Sequence, residues 1–251
     1  MLKISNLCLS LNNKEVLKEI NLFIREGKLT TIIGLNGSGK SSLINCINQT
    51  YKYNGNICLF HNNNYVNINE IKQTEIAKRI SILPQVLSNP HIKVIDLVKM
   101  GRSPYRSIGK KLTESDFQTI NFAIKEVGIE NLSEKYVDEL SGGERQKAFL
   151  ALMLAQNTDM LILDEPTTYL DLINEKEFLE LIILLKNNYG KTILIVMHNL
   201  NNALNYSDDL IFLDKGELIC SGDKKDVINS HLIESIFKIT IKEIDDKYIM
   251  I

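Results

Sequence analysis

Apolar and polar residues alternate through LKISNLCLSL and again through INLFIREG, the period of strands that bury one face. The polar stretch NNKEVLKE between them reads as a connection. Further along the pattern changes. KLTTIIG is a short β-branched apolar run and RISILPQ a second one, while MLILDEP and KTILIVMH are continuous apolar runs, as expected of strands covered on both faces of a parallel sheet, with functional groups at their carboxyl ends. Helical patterns lie between them. GLNGSGKSSLINCINQ turns helical after its glycines, and NEKEFLELIILLKNNYG reads as a crossover helix stopped by Gly190. LTESDFQTINFAIKEVGI places Phe117, Ile120, Ile124 and Val127 on one helix face, with Thr113 and Asp116 as a capping box and Gly128 as the stop. DLIFLDKGELICSG predicts a hairpin turning at Asp214-Lys215-Gly216, and IFKITIKEIDDKYIMI a second one at the end. The Asn-rich FHNNNYVNIN reads as a surface loop, and its His61 has no His or Cys partner at ligand spacing.

Strands alternating with helices predict an α/β fold. We expect one domain over 1–251, with a catalytic core at 1–84 and 157–230, an inserted helical subdomain at 85–156, and a tail at 231–251. The net charge of −2 over 251 residues gives no bulk attraction to nucleic acid or anionic lipid. No window approaches the ~20 apolar residues of a membrane span, and the N-terminus lacks the pattern of a signal peptide. Cys8, Cys46, Cys58 and Cys220 lie far apart without a CxxC pair, which predicts reduced thiols rather than a zinc site or disulfides.

Gly34-Leu35-Asn36-Gly37-Ser38-Gly39-Lys40-Ser41, with Ser42 behind it, fits the phosphate-loop pattern at every fixed position, after a strand and before a helix. Backbone N–H groups of such a loop wrap phosphates, Lys40 places charge at the β- and γ-phosphates, and the Ser41 hydroxyl can ligate Mg2+. Asp164 and Glu165 end the run MLILDEP. Asp164 there would hold Mg2+ and Glu165 would act as general base. Neighbouring residues on a strand point oppositely, which would let the two carboxylates serve two roles. Gln85 follows RISILP and can coordinate Mg2+ or its water; His198 closes TILIVMH and can touch the γ-phosphate. One feature is left over. ELSGGERQKAFLALMLAQ opens a second helix with Ser141, Gly142 and Gly143, although glycine costs ~1 kcal/mol against alanine in a helix. Bare N–H groups at a helix start suit an anion.

With these residues the chain resembles the ATP-binding cassette (ABC) ATPases over nearly its whole length. Gly34–Ser41 match Walker A, Gln85 the Q-loop, Leu140–Glu144 the signature, Met160–Glu165 Walker B, Tyr169–Asp171 the D-loop and His198 the switch histidine. The resemblance implies a P-loop NTPase fold with a RecA-like core, an antiparallel β subdomain and an inserted helical subdomain. It also implies ATP and Mg2+ as ligands, with catalysis by Glu165, His198 and Lys40, nucleotide contacts from Gly34 to Ser42, and metal contacts from Ser41, Gln85 and Asp164. In this family two copies sandwich ATP head to tail. Ser141, Gly142 and Gly143 of one chain would then complete the site of the other. The family commonly has an aromatic that stacks on adenine; alignment places Leu11 there, where it and Val16 would offer apolar contact instead.

VKMGRSPYRS, LAQNTDMLILDEPTTYLDL and VMHNLNNALNYSD are most similar to the ATPases of importers for ferric siderophores, haem and vitamin B12. That likeness implies membrane permease subunits as partners, with the helical lobe offering their docking groove. A substrate-binding protein would act only indirectly, no nucleic acid would be involved, and the chain would lie on the cytoplasmic face of the membrane. Two alternatives stand beside transport. A soluble ABC ATPase could remodel a macromolecule in DNA repair, translation or iron–sulfur assembly. However, Pro84, Pro90, Gly101, Pro104, Gly109 and Gly128 break any long coiled coil between Walker A and the signature, and only one cassette is present. An inactive scaffold is disfavoured by Lys40, Asp164, Glu165 and His198 occurring together.

Overall fold

The computed structural model describes residues 1–61, 63–106, 109–245 and 247–250. The chain forms two units, Met1–Ile71 with Gly190–Ile251, and Lys72–Tyr189. The first unit opens with β1 (Leu2–Leu11), β2 (Lys14–Ile24), β3 (Leu29–Ile33), α1 (Lys40–Ile47), β4 (Asn54–His61) and β5 (Asn64–Asn67). The second carries α2 (Gln73–Ile76), β6 (Ile80–Leu83), α3 (Val94–Met100), α4 (Glu114–Val127), α5 (Gly142–Gln156), β7 (Met160–Leu163) and α6 (Leu172–Tyr189). The chain then returns to the first unit for β8 (Thr192–Val196), α7 (Leu200–Tyr206), β9 (Asp209–Asp214), β10 (Glu217–Asp223), α8 (Lys224–Asn229), α9 (Leu232–Phe237), β11 (Ile241–Ile244) and β12 (Lys247–Met250).

Two sheets organise the first unit. Strands β2-β1-β4-β5 form an antiparallel sheet, whose alternating residues Leu2, Ile4, Leu9, Leu17, Ile20 and Ile24 are almost wholly buried. In the other, β3 runs parallel to both β8 and β9, and β10 closes antiparallel onto β9. Every residue of β3 and β8 is buried, as the continuous apolar run of β8 predicts; in β3 that includes Thr30 and Thr31. In the second unit β6 and β7 pair in parallel, with Leu83 opposite Leu163, and helices α3, α4 and α5 lie between these strands in sequence.

Four expectations change. The polar NNKEVLKE is not a separate connection: it mostly belongs to β2, and Asn12 and Asn13, at φ 51° and 60°, make the turn from β1. Asparagine tolerates such left-handed positions, so two in succession fit the tight turn of a hairpin. FHNNNYVNIN is likewise a β4–β5 hairpin rather than a loop, with Phe60 opposite Tyr65; Asn62 lies outside the described residues. On α4 the capping box of Thr113 and Asp116 and the left-handed Gly128 stop are as expected, but Phe117 is 41% exposed. The buried stripe runs instead through Asp116, Ile120, Ala123, Ile124 and Val127, because Asp116 is drawn inward by the Arg102 guanidinium at 2.8 Å. The four cysteines are free thiols. The C-terminal hairpin forms as β11–β12, except that Ile236 and Phe237 belong to α9; Asp246 and Ile251 lie outside the described residues.

Candidate active site

The phosphate loop leaves β3 at Ile33 and enters α1 at Lys40. Its path is tight. A Cβ on Gly34 would lie 2.1 Å from the Leu213 carbonyl oxygen and 2.6 Å from Ser38 Oγ. Gly39 precedes α1 in the left-handed region, at φ 101°, and a Cβ there would meet the Leu17 side chain at 2.7 Å. No side chain caps α1, and its first turn carries no acidic residue; the partial positive charge of that helix start is therefore undimmed for an anion. Lys40 is 5% exposed, and its Nζ donates to the Gly34 and Leu35 carbonyls, both at 3.0 Å. The ammonium thus lies within the curve of the loop. Leu35, Asn36 and Gly37 form its exposed rim, Ser41 and Ser42 are half-buried, and Ser38 is buried with its hydroxyl lacking a hydrogen-bond partner. A buried orphan hydroxyl beside a loop of this shape suits a ligand oxygen.

The carboxylates belong to the second unit. All four residues of β7 are buried, and the Asp164 backbone N–H extends the ladder by donating to Leu83 O at 2.9 Å. Asp164 and Glu165 are 6% and 8% exposed. Strand alternation does not separate them. The strand ends at Leu163, and Glu165 has φ 50°, a left-handed conformation costing a non-glycine residue about 1 kcal/mol. Strain of this kind gathers at functional positions. Gln85, just past β6 and Pro84, donates from Nε2 to Glu165 Oε2 at 2.6 Å, which leaves its own oxygen as the atom suited to a cation. Thr168 Oγ1 donates to the Glu165 carbonyl at 3.1 Å and supports the turn; no motif in the sequence singled it out.

The second helix start is built differently. Ser141 caps α5 in a reciprocal box: its Oγ accepts from the Glu144 backbone N–H, while its own N–H and hydroxyl donate to Glu144 Oε2 at 2.9 and 2.8 Å. These bonds hold the Glu144 carboxyl below its usual range. A Cβ on Gly143 would press on the Asn174 side chain at 3.2 Å, whereas one on Gly142 would meet only Tyr169 O, at 3.9 Å. Packing among the described residues does not require glycine at 142. Tyr169, Leu172 and Ile173 nearby are 78%, 81% and 73% exposed.

The structure thus brings Gly34–Ser42 together in the first unit, and Gln85, Asp164 and Glu165 together in the second, which also carries the Ser141–Gly143 helix start. His198 stands exposed two residues beyond β8. Leu11, at the end of β1, and Val16, on β2, are half-buried.

A family model described as "ABC transporter" matches residues 17–168. The chain is 37% identical over 246 residues to the petrobactin import ATP-binding protein YclP of Bacillus subtilis (strain 168), covering 96% of this chain and 94% of that one. It is 35% identical over 238 residues to the iron(3+)-hydroxamate import ATP-binding protein FhuC of the same organism, covering 93% and 86%. Among solved structures it is similar to the dimeric structure of MJ0796, a bacterial ABC transporter cassette, with TM-score 0.75 and 26% identity over 89% of this chain and 99% of that one.

Proposed function

The chain belongs to the ABC transporter family and has the P-loop ATPase fold of its cassettes, and from that premise we propose that it is the ATP-hydrolysing subunit of a membrane importer for a ferric siderophore. Two copies form two shared sites, and a membrane permease is the partner they drive. The chain lies peripherally on the cytoplasmic face, and a substrate-binding protein delivers cargo to the permease without touching this subunit. Siderophore cargo is supported by the names of the relatives, which specify petrobactin and iron(3+)-hydroxamate import.

In each site the loop from Gly34 to Ser42 holds the phosphates of ATP with its backbone N–H groups, and Lys40 sets its charge at the β and γ positions. Mg2+ fits the donor set: the Ser41 hydroxyl, the Gln85 amide oxygen and the Asp164 carboxylate are hard oxygen ligands. When bound it neutralises charge on the β- and γ-phosphates. Glu165, steered by Gln85, accepts a proton from the attacking water as the water oxygen bonds to the γ-phosphorus. The bond to the β–γ bridging oxygen then breaks, releasing ADP and phosphate. His198 contacts the γ-phosphate and holds that water in line.

Gly142 carries the two-copy reading. A residue that weakens its helix, with nothing among the described residues of its own chain needing it, is accounted for by a ligand from outside. The N–H groups of Gly142 and Gly143, at the helix start that Ser141 caps, supply the γ-phosphate contacts for the partner copy. The test is Glu165→Gln, which removes the base and leaves binding intact. With ATP it elutes as a stable dimer in gel filtration and without ATP as a monomer; a variant that stays monomeric in saturating ATP overturns the shared site.

A further inference from the structure

Helix α7 is a short rod with three attachments. It begins just after His198, and Asn199 caps it by accepting from the Asn202 backbone N–H. Its inner residues Leu200, Ala203 and Leu204 are buried. Just past its end, the Ser207 hydroxyl lies 2.5 Å from Thr31 Oγ1 on β3, the strand that feeds the phosphate loop. The third attachment is to the C-terminal hairpin, through the Asn205 side chain. Asn205 Nδ2 donates to the Tyr248 carbonyl at 2.9 Å, and Asn205 Oδ1 accepts from the Tyr248 N–H, also at 2.9 Å. The second Nδ2 hydrogen goes to the Asn201 carbonyl in the same helix at 2.8 Å.

The Asn205 amide therefore pairs with Tyr248 as a peptide group of a neighbouring strand would, while gripping the last turn of its own helix. Asparagine is a poor helix former, and an apolar residue would pack on a helix flank without that penalty. Only a side chain with two donors and an acceptor on one planar group meets all three partners. The contact is backed by the Tyr248 side chain, which is 7% exposed with Lys224 Nζ 5.4 Å from its ring centroid.

We propose that Asn205 is a positioning residue for hydrolysis: by locking the β11–β12 hairpin to α7, it holds the helix, and through it the segment bearing His198, where His198 meets the γ-phosphate. This rests on the role given to His198 above. A hairpin that merely tidied the chain end would affect folding stability alone.

The test compares full-length parent, Asn205→Ala and Asn205→Gln at a temperature where circular dichroism shows all three folded. In the alanine variant kcat for ATP falls about tenfold, the size expected when a reacting group is displaced by a fraction of an ångström. KM for ATP changes by less than about twofold. The glutamine variant, with the same amide, recovers part of the loss. Without nucleotide, the alanine variant also shows faster hydrogen exchange at amides 200–206 and shifted NMR signals from the His198 ring. Unchanged kcat overturns the proposal, and so does a fall in kcat with the His198 signals unmoved. If the parent itself does not hydrolyse ATP, the functional reading fails instead, while the exchange and ring signals still decide whether Asn205 holds the segment. If the alanine variant does not fold, Asn205→Asp keeps the acceptor for the Tyr248 N–H and loses both donors, and the same readouts apply to it.

Discussion

Among the glycines of the phosphate loop, Gly34 has the least room. A methyl group there would overlap the Leu213 carbonyl oxygen at 2.1 Å, and that atom is backbone, which cannot swing aside as a side chain can. Gly34→Ala is expected to lower stability by about 2–4 kcal/mol and to abolish ATP binding, read by thermal melting and calorimetric titration; a variant that bound ATP like the parent would mean the loop does not need this path. Leu11 is the opposite case, with room to improve. It is half-buried at the end of β1, and an aromatic ring there could stack on adenine, an arrangement worth about 0.5–1.5 kcal/mol beyond area burial. Leu11→Tyr should therefore tighten ATP binding by about 2- to 12-fold; unchanged affinity would place adenine elsewhere. Lys40, Asp164 and Glu165 were legible in the sequence because their chemistry depends on residue type and spacing. The left-handed backbone of Glu165, its bond from Gln85 and its support from Thr168 were not, since a glutamate carries no sign of the conformation its neighbours impose.

Among the elements, α4 shows how a helix start can carry a buried ion pair. Asp116 accepts from the Thr113 backbone N–H and hydroxyl and from Arg102, at 2.7–2.9 Å, and Arg102 also donates to the Ala155 carbonyl of α5 at 2.9 Å. The Thr113 bonds first, and the guanidinium after them, hold the Asp116 carboxyl down at about 2. Because the folded value lies below the ordinary one of 3.8, the stabilisation is complete above pH ~4 and is lost as pH falls toward 2. Asp116→Ala should cost about 3–5 kcal/mol at neutral pH, the usual result of leaving one member of a buried pair alone, and its deficit against the parent in urea melts should shrink as pH is lowered below 4. A deficit independent of pH would remove the ionic explanation. On α5, Ser141→Ala forfeits a side-chain cap worth about 1 kcal/mol and should lower the denaturation midpoint slightly. Capping boxes and glycine stops were readable because they depend on two or three adjacent residues. The hairpins at Asn12-Asn13 and across residues 54–67 were not: their polar residues resemble loops, and nothing in a polar stretch shows that it pairs with the neighbouring strand. Phe117 was misplaced for a related reason, since a 3.6-residue period cannot show that an aspartate will be pulled to the inside by an arginine fourteen positions away.

At the scale of the whole molecule, no helix among the described residues is long and apolar enough to cross a membrane. In the reading proposed above, the work of the ATPase reaches the permease through surface contact. The second unit offers apolar surface for this: Val86 is 74% exposed and adjoins Gln85, which bonds to Glu165, and Met100 at the end of α3 is 56% exposed. Exposed apolar side chains cost solubility and mark interaction surfaces where they gather, and a thioether suits a partner helix that shifts as it works. A contact at Val86 would lie one residue from Gln85, whose amide bonds to Glu165, so in the proposed reading movement of the permease and the state of the ATP site would be linked through a short covalent path. Met100→Glu places a charge at the end of α3 without touching the ATP machinery. It should weaken co-purification with the permease from detergent-solubilised membranes by about tenfold or more, as loss of a buried interface anchor does. In a Glu165→Gln background the ATP-dependent dimer should form as before. Retention of the permease by Met100→Glu would move the coupling surface away from α3, and loss of the dimer as well would show that the substitution had disturbed the fold rather than the interface.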